Sequence, residues 1–272
     1  MNIHEGDSYD VFASHERRSH PLLLVDSDAE SLLCVSMLLQ RLDFRVATAK
    51  TAREAFASAT TAIPSLIITA LSLNDMNGLN LITLLRKNPK TTNIPFIALR
   101  NPRDYVGEQY CFSAGAIDCL VKPVSAELLY RAVQGGLEDR PRAAMRLRTI
   151  QPVWVDTVPF DDGEDVHTLD ISERGLFLRT AKPAPENTRL SVRIDLNGTI
   201  IKAEVKVIYT CPPCKGPYGE PGAGLQFTHL SPNDLELLRK FMRKEITRGI
   251  VPNGCSLDNA ASEQQDEMRW WA

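Results

Sequence analysis

The chain has 272 residues, 43% of them hydrophobic and 24% charged, with a net charge of −3 and a pI near 6.0. Single domains commonly run to about 100–150 residues, so two domains are expected. The charge balance excludes broad binding of nucleic acid or anionic membrane by charge alone. No apolar run approaches the roughly 20 residues of a spanning helix and no signal-peptide core opens the chain, so a cytoplasmic protein without membrane insertion is expected.

Residues 1–19 are polar and aperiodic and read as a disordered tail. Leu22, Leu23, Leu24 and Val25 form a short apolar run ending in Asp26, the pattern of a buried parallel strand. Leu32, Val35, Leu39 and Leu42 recur at three- and four-residue steps and predict an amphipathic helix. Further strands are expected over residues 44–48, 66–68, 94–99 and 117–121. Thr51 and Glu54 make a capping box for a second helix. Helical patterns also cover residues 78–86 and 103–114, and Ser125 caps a last helix ending near Leu137. Strands alternating with helices predict a doubly wound α/β fold on a parallel five-stranded sheet, with any site at the carboxyl ends of the strands. Gly135, Gly136 and Pro141 interrupt helix propensity and set the boundary between a domain over residues 20–139 and one over 140–248.

From Ile150 the hydrophobic period becomes two. Leu190, Val192, Ile194 and Leu196 alternate with Arg189, Ser191, Arg193 and Asp195; Asn197-Gly198 signals a hairpin; Ile201, Ala203, Val205 and Val207 then alternate with Lys202, Glu204 and Lys206. Strands are also expected over residues 153–157, 166–171, 176–179 and 223–227, which makes a six-stranded antiparallel β-barrel. Pro232 suits the first position of a closing C-terminal helix, with Leu235, Leu238, Phe241 and Met242 as its apolar stripe. The tail over residues 249–272 is polar until Trp270 and Trp271, a docking peptide on one reading and incidental on the other. Cys34, Cys111 and Cys119 read as core residues. Cys211 and Cys214 form a lone CxxC without a second pair or paired histidines, which favours a loop over a metal or redox site. No nucleophile–base pair or hydrolysis motif marks an enzyme. His167 stands near Asp170 and Ser172, but no Gly-x-Ser-x-Gly elbow supports a triad. Neither cofactor nor metal is expected.

Arg142 and Arg146, four apart, precede a second group, Asp170, Ser172 and Gly175. The planar arginine fork binds phosphate or a base edge bidentately and stacks on rings. Asp170 can accept from ring N–H and amino groups, Ser172 can donate or accept, and Gly175 lets a backbone come close. This RxxxR plus DxSxxG pair resembles the PilZ domain, the cyclic di-GMP receptor module, over residues 140–248. Pro152-Val153-Trp154-Val155 and the run from Gly222 to Pro232 carry the same resemblance. It implies cyclic di-GMP as ligand, with Arg142 and Arg146 on phosphate and guanine, Asp170 and Ser172 on guanine edges, and Gly175 permitting close approach. Ligand binding would then fold or re-aim the segment joining the domains; the alternative is that residues 142–148 lie loosely on the barrel with or without ligand.

The first domain resembles the response-regulator receiver over residues 20–138, through Leu22 to Asp28, Met76-Asn77-Gly78-Leu79, Ile94-Pro95-Phe96-Ile97 and Ala114 to Pro123. Receivers carry an acidic pair for Mg²⁺, an aspartate nucleophile, a switch hydroxyl, and a lysine that offsets phosphoryl charge. Here the acceptor position is Ala70, the acidic pair is Asp26-Ser27, the switch position is Arg100, and only Asp26 and Lys122 fit. Ser72 and Asp75, beyond the strand end, are weak substitutes as acceptor. An unpaired cation in a former acidic pocket is costly, so Arg100 or Lys122 is expected to pair with Asp26 in a permanently set pseudo-receiver. The combined expectation is a cyclic di-GMP effector whose non-phosphorylatable receiver serves protein interaction. Its protein partner is unidentified and docks on the receiver surface or the C-terminal tail. Receivers often pair through their last helices, which makes a homodimer one expected assembly. The alternative is a response regulator whose PilZ domain is an output module without nucleotide binding.

Overall fold

A computed structural model describes residues 20–104, 107–138, 144–155, 166–216 and 219–250. The expected tails, Arg142 and Trp270–Trp271 lie outside these residues. The chain divides into two compact units, one of Met1–Arg142 with Thr247–Ala272, the other of Ala143–Ile246.

The first unit runs β1 (Leu22–Val25), α1 (Ala29–Arg41), β2 (Val46–Ala49), α2 (Ala52–Ala62), β3 (Leu66–Ala70), α3 (Gly78–Lys87), β4 (Phe96–Arg100), α4 (Glu108–Ser113), β5 (Asp118–Val121) and α5 (Ala126–Leu137). All strand pairs are parallel, in the order β2-β1-β3-β4-β5. Every residue of β1 and β3 is buried, as a parallel sheet covered on both faces by helices requires. Strand order reverses at β1, so the carboxyl ends of β1 and β3 open the crevice where doubly wound folds place their sites.

One expectation needs correction here. The helix predicted over 103–114 begins only at Glu108. Ahead of it, the Asn101 N–H donates to the Asp104 carboxylate at 2.7 Å and the Asp104 N–H donates to the Asn101 carbonyl at 3.0 Å, closing a turn where a first helical turn was predicted. The last helix ends where predicted: α5, capped by Ser125, runs through Gly135 and Gly136 to Leu137. A Cβ on Gly136 would come within 2.6 Å of Leu66 Cδ1 and Ile117 Cδ1, so this glycine seats the helix on the sheet.

The second unit contains β6 (Arg146–Arg148), β7 (Val153–Val155), β8 (His167–Ser172), β9 (Gly175–Arg179), β10 (Arg189–Asp195), β11 (Ile200–Cys211), β12 (Gly222–Leu230) and α6 (Pro232–Thr247). They form an antiparallel sheet in the order β6-β8-β9-β12-β11-β10-β7. Among the described residues the strands number seven where six were predicted; the additional one is β6. β6 and β7 belong to one run of chain that leaves β8 and joins β10. Between them the Thr149 N–H donates to Leu169 O at 3.1 Å, the Thr168 N–H to Gln151 O at 2.9 Å, and the Asp195 N–H to Pro152 O at 3.0 Å. That run therefore closes the sheet into a barrel. The predicted hairpin turn is present, with Asn197 (φ 56°) and Gly198 (φ 93°) both left-handed, as a two-residue turn of the primed type demands. Alternate residues of β10 and β11 point into the barrel, and Leu238, Phe241, Met242 and Ile246 are the buried stripe of α6; Leu235, expected there, is half-buried.

Candidate functional site

Strand register assembles the second unit's candidate site. Arg146 on β6 lies opposite Ser172 on β8, Ser172 lies opposite Gly175 on β9, and Gly175 lies opposite Gln226 on β12. Directly paired residues share a face of the sheet. Asp170 stands in the next row, opposite Arg148, beside the bulge between Thr168 and Asp170. Leu147, Ile171 and Leu176 alternate with Arg146, Ser172 and Gly175 and are buried, which puts that row on the other face of the sheet; Ser172 is itself buried, as is Phe177 opposite Asp170. Four of the five predicted residues thus come together on three neighbouring strands; Arg142 lies outside the described residues.

The turn that presents them is held by its own side chains. The Ser172 hydroxyl donates to the Gly175 carbonyl at 3.0 Å and accepts from the Arg174 N–H at 3.3 Å. Arg239 of α6 pairs with Glu173 in the turn at 2.8 Å. A Cβ at Gly175 would lie 2.1 Å from the Leu225 carbonyl oxygen, so glycine here is required for β9 to approach β12. That packing need acts independently of any ligand, and it leaves the row bare of side chain between Ser172 and Gln226.

His167 and Ser172 occupy opposite ends of β8, about 17 Å apart at ~3.4 Å per residue, so they cannot act as a base–nucleophile pair. Cys211 ends β11 buried, its thiol pKa pushed up by burial, whereas Cys214 is exposed. Among the described residues no group of three or more His, Cys, Asp or Glu could hold a metal ion.

In the first unit the carboxyl ends of β1, β3, β4 and β5 deliver Asp26, Ala70, Arg100 and Lys122. The Asp26 carboxylate is 1% exposed. It accepts from the Lys122 ammonium and from Ser31 Oγ (2.7 Å) on Oδ2, and from the Asp28 N–H (3.1 Å) on Oδ1. Of the two cations expected to neutralise Asp26, Lys122 makes the pair. The Arg100 Nε is buried without a hydrogen-bond partner among the described residues. Asp28 turns away to cap α1, accepting from the Glu30 and Ser31 N–H groups. Ser27 donates to the Lys50 carbonyl at 2.7 Å and accepts from the Asn74 N–H at 3.0 Å, which ties the loops after β2 and β3. Ala70, at the end of β3, is buried and offers only a methyl group.

Neither substitute acceptor is idle. Asp75 takes the Ala52 N–H (2.9 Å) and the Arg53 N–H (3.0 Å) at the start of α2, and the Ala52 bond is the main cause of its lowered pKa. Ser72 donates to Asp104 at 3.4 Å. Sequence reasoning missed Ser31, whose hydroxyl completes the Asp26 cluster from one turn into α1; only its closeness in sequence to Asp26 could have signalled it. It also missed the contact of Cys111 with Cys119, whose sulfurs lie 3.1 Å apart. Burial first, then Cys111, pushes the Cys119 thiol up to about 12.

Residues 22–134 match the response regulator receiver domain and residues 141–244 match the PilZ domain. A "Probable cyclic di-GMP phosphodiesterase" of Vibrio cholerae is 28% identical over 119 residues, which are 44% of this chain and 27% of that protein. The transcriptional regulatory protein PrrA of Mycobacterium tuberculosis is 35% identical over 112 residues, 40% of this chain and 47% of PrrA. The chain thus spans less than half the length of either. An uncharacterized 14.6 kDa protein of Leptolyngbya boryana is 30% identical over 113 residues, 42% of this chain and 86% of its own length. Among solved structures, the chemotaxis response regulator CheY4 of Vibrio cholerae is 29% identical, with a TM-score of 0.40, over 43% of this chain and 98% of CheY4. The chain therefore belongs, over residues 22–134, to the response regulator receiver family and, over residues 141–244, to the PilZ family.

Proposed function

We propose that this receiver–PilZ protein is a cyclic di-GMP effector of the cytoplasm, in which the PilZ unit takes the messenger and the receiver unit serves protein interaction without being phosphorylated. The observation that carries the reading is the cross-strand row. Arg146, Ser172 and Gly175 lie in one cross-strand row, with Asp170 two residues along β8 opposite Arg148; in this reading Arg146 is the cation for phosphate and Asp170 the acceptor for guanine edges. Arg146 supplies a bidentate fork for phosphate or guanine, and Arg142 a second one from the segment ahead of it. Asp170 accepts from guanine N–H and amino groups. Ser172 holds the turn and, in this reading, meets the guanine edge. Gly175 leaves the face clear for the ring.

Receiver and PilZ domains are signalling modules rather than catalysts, and the phosphodiesterase named above shares only 27% of its length with this chain, so its activity is not carried over. Ala70 and the Asp26–Lys122 pair support a receiver set in one state. The last receiver helix, α5, is the expected surface for pairing with a second copy.

Calorimetric titration with cyclic di-GMP tests the proposal. Binding is expected with a Kd below about 100 μM, a free energy stronger than about −5.5 kcal/mol. Arg146→Ala is expected to weaken it at least tenfold, about 1.4 kcal/mol. No heat at any accessible concentration refutes the function. Unchanged binding by Arg142→Ala with Arg146→Ala refutes the residue assignment alone.

A further inference from the structure

The outer face of β7, β10 and β11 carries a charge pattern that neither the barrel core nor the dinucleotide site explains. Arg189 lies directly opposite Lys206, and Arg193 directly opposite Lys202. Like charges placed directly across a strand pair destabilise it, yet this hairpin does so twice on one face. Residues 190, 192, 194, 201, 203 and 205 are buried between them, so all four cations project outward. Glu204 lies between the two pairs, opposite Ser191, whose hydroxyl donates to it at 2.6 Å. Among the described residues, Arg189, Lys202 and Lys206 make no ion pair.

Lysines guard exposed sheet edges against strand addition, but β11 is flanked by β10 and β12, so that explanation does not reach Lys202 and Lys206. The patch is also not purely ionic. Trp154, in register with Arg193, is 44% exposed, and Ile200, at the end of the hairpin, is 54% exposed. Cations around a partly exposed aromatic suit a polypeptide surface that mixes carboxylates with apolar side chains. Nucleic acid fits less well. The Trp154 ring is already faced by the Arg193 guanidinium at 5.9 Å, which competes with the base stacking that single-stranded nucleic acid relies on.

We infer that the outer face of β7, β10 and β11 is a docking surface for an acidic polypeptide segment, held by Arg189, Arg193, Lys202 and Lys206 around Trp154. This inference does not depend on cyclic di-GMP binding.

The test uses the full chain, a labelled peptide of Glu-Leu-Glu repeats and a length-matched labelled oligothymidylate. The peptide is expected to bind at low salt and to weaken as salt rises. Backbone amide shifts are expected at Trp154 and along β10 and β11. Lys202→Glu with Lys206→Glu is expected to reduce peptide affinity at least tenfold. Lys202→Gln removes the repulsion with Arg193, so it is expected to hold or raise the Tm while weakening the peptide, which separates a docking role from a folding defect. Tighter binding of the oligothymidylate through the same residues overturns the inference in favour of nucleic acid. Absence of peptide binding, or peptide binding that the charge reversal leaves within twofold, overturns it outright.

Discussion

At the scale of single residues, the informative position is Asp26. A carboxylate only 1% exposed survives because three donors converge on it, one of them the Lys122 ammonium. Replacing Lys122 by Met leaves a buried carboxylate with its hydrogen bonds but without its counter-charge. Breaking a buried ion pair from one side costs about 3–5 kcal/mol, and the two remaining donors place the expected loss near the lower end. Denaturant unfolding of Lys122→Met measures it. The double variant Asp26→Asn with Lys122→Met is expected to lose less than the two single losses added, since together the substitutions leave no lone charge. Asp75 gives a pH prediction of known sign. Its folded pKa is depressed by the α2 amides, so its stabilisation is present above the ordinary aspartate value of about 3.9 and is lost as pH falls through the lowered one. Carboxyl NMR titration should find Asp75 below that ordinary value, and the amides of Ala52 and Arg53 should lose exchange protection on its protonation. That a cation would pair with Asp26 was legible from motif order, but the sequence left Arg100 and Lys122 as alternatives and the structure chose Lys122. Ser31 was not, because a serine early in a helix carries no mark of which carboxylate it will meet.

At the scale of elements, glycines show where pattern reading succeeds and where it stops. Gly135 and Gly136 are adjacent in α5, and propensity alone reads both as interruptions. The structure separates them. A Cβ on Gly135 meets nothing within 4 Å, so Gly135→Ala is expected to stabilise the first unit by about 0.5–1 kcal/mol. Gly136→Ala drives a methyl into Leu66 and Ile117 and is expected to cost about 1–3 kcal/mol instead. In the second unit Gly175→Ala meets backbone at 2.1 Å, which cannot rotate away, and is expected to be more damaging than Gly136→Ala. Thermal melts of the three variants give the order directly. Long strands with clean alternation, β10 and β11, were legible because the period of two fixes both face and hairpin. β6 was not: three residues containing two arginines offer no apolar period, and only pairing with β8 makes them a strand. The helix over 103–114 was overdrawn because Asp104 closes a local turn that composition does not reveal.

At the scale of the whole molecule, a receiver fold and a barrel follow one another on a single chain, each with its own core. The receiver has the parallel sheet of its family, and Asp26, Ala70 and Lys122 stand at the carboxyl ends of its strands. Incubation with a small phosphodonor and Mg²⁺ is expected to leave the intact mass unchanged, where a phosphorylated chain would gain about 80 Da. A stable adduct would show that some other side chain has taken over the acceptor's role. The order of domains and both fold classes were readable from motif order. The number of barrel strands was not, because it depends on contacts between segments distant in sequence.

The run carrying β6 and β7 has one more consequence. It is knitted to β8 at its start and to β10 at its end, so the described strands offer no long bare margin of peptide groups. Sheets that end in such margins recruit foreign strands and seed fibrils. This one is hemmed by its own opening segment, and concentrated solutions of the protein should resist that fate for as long as the hem holds.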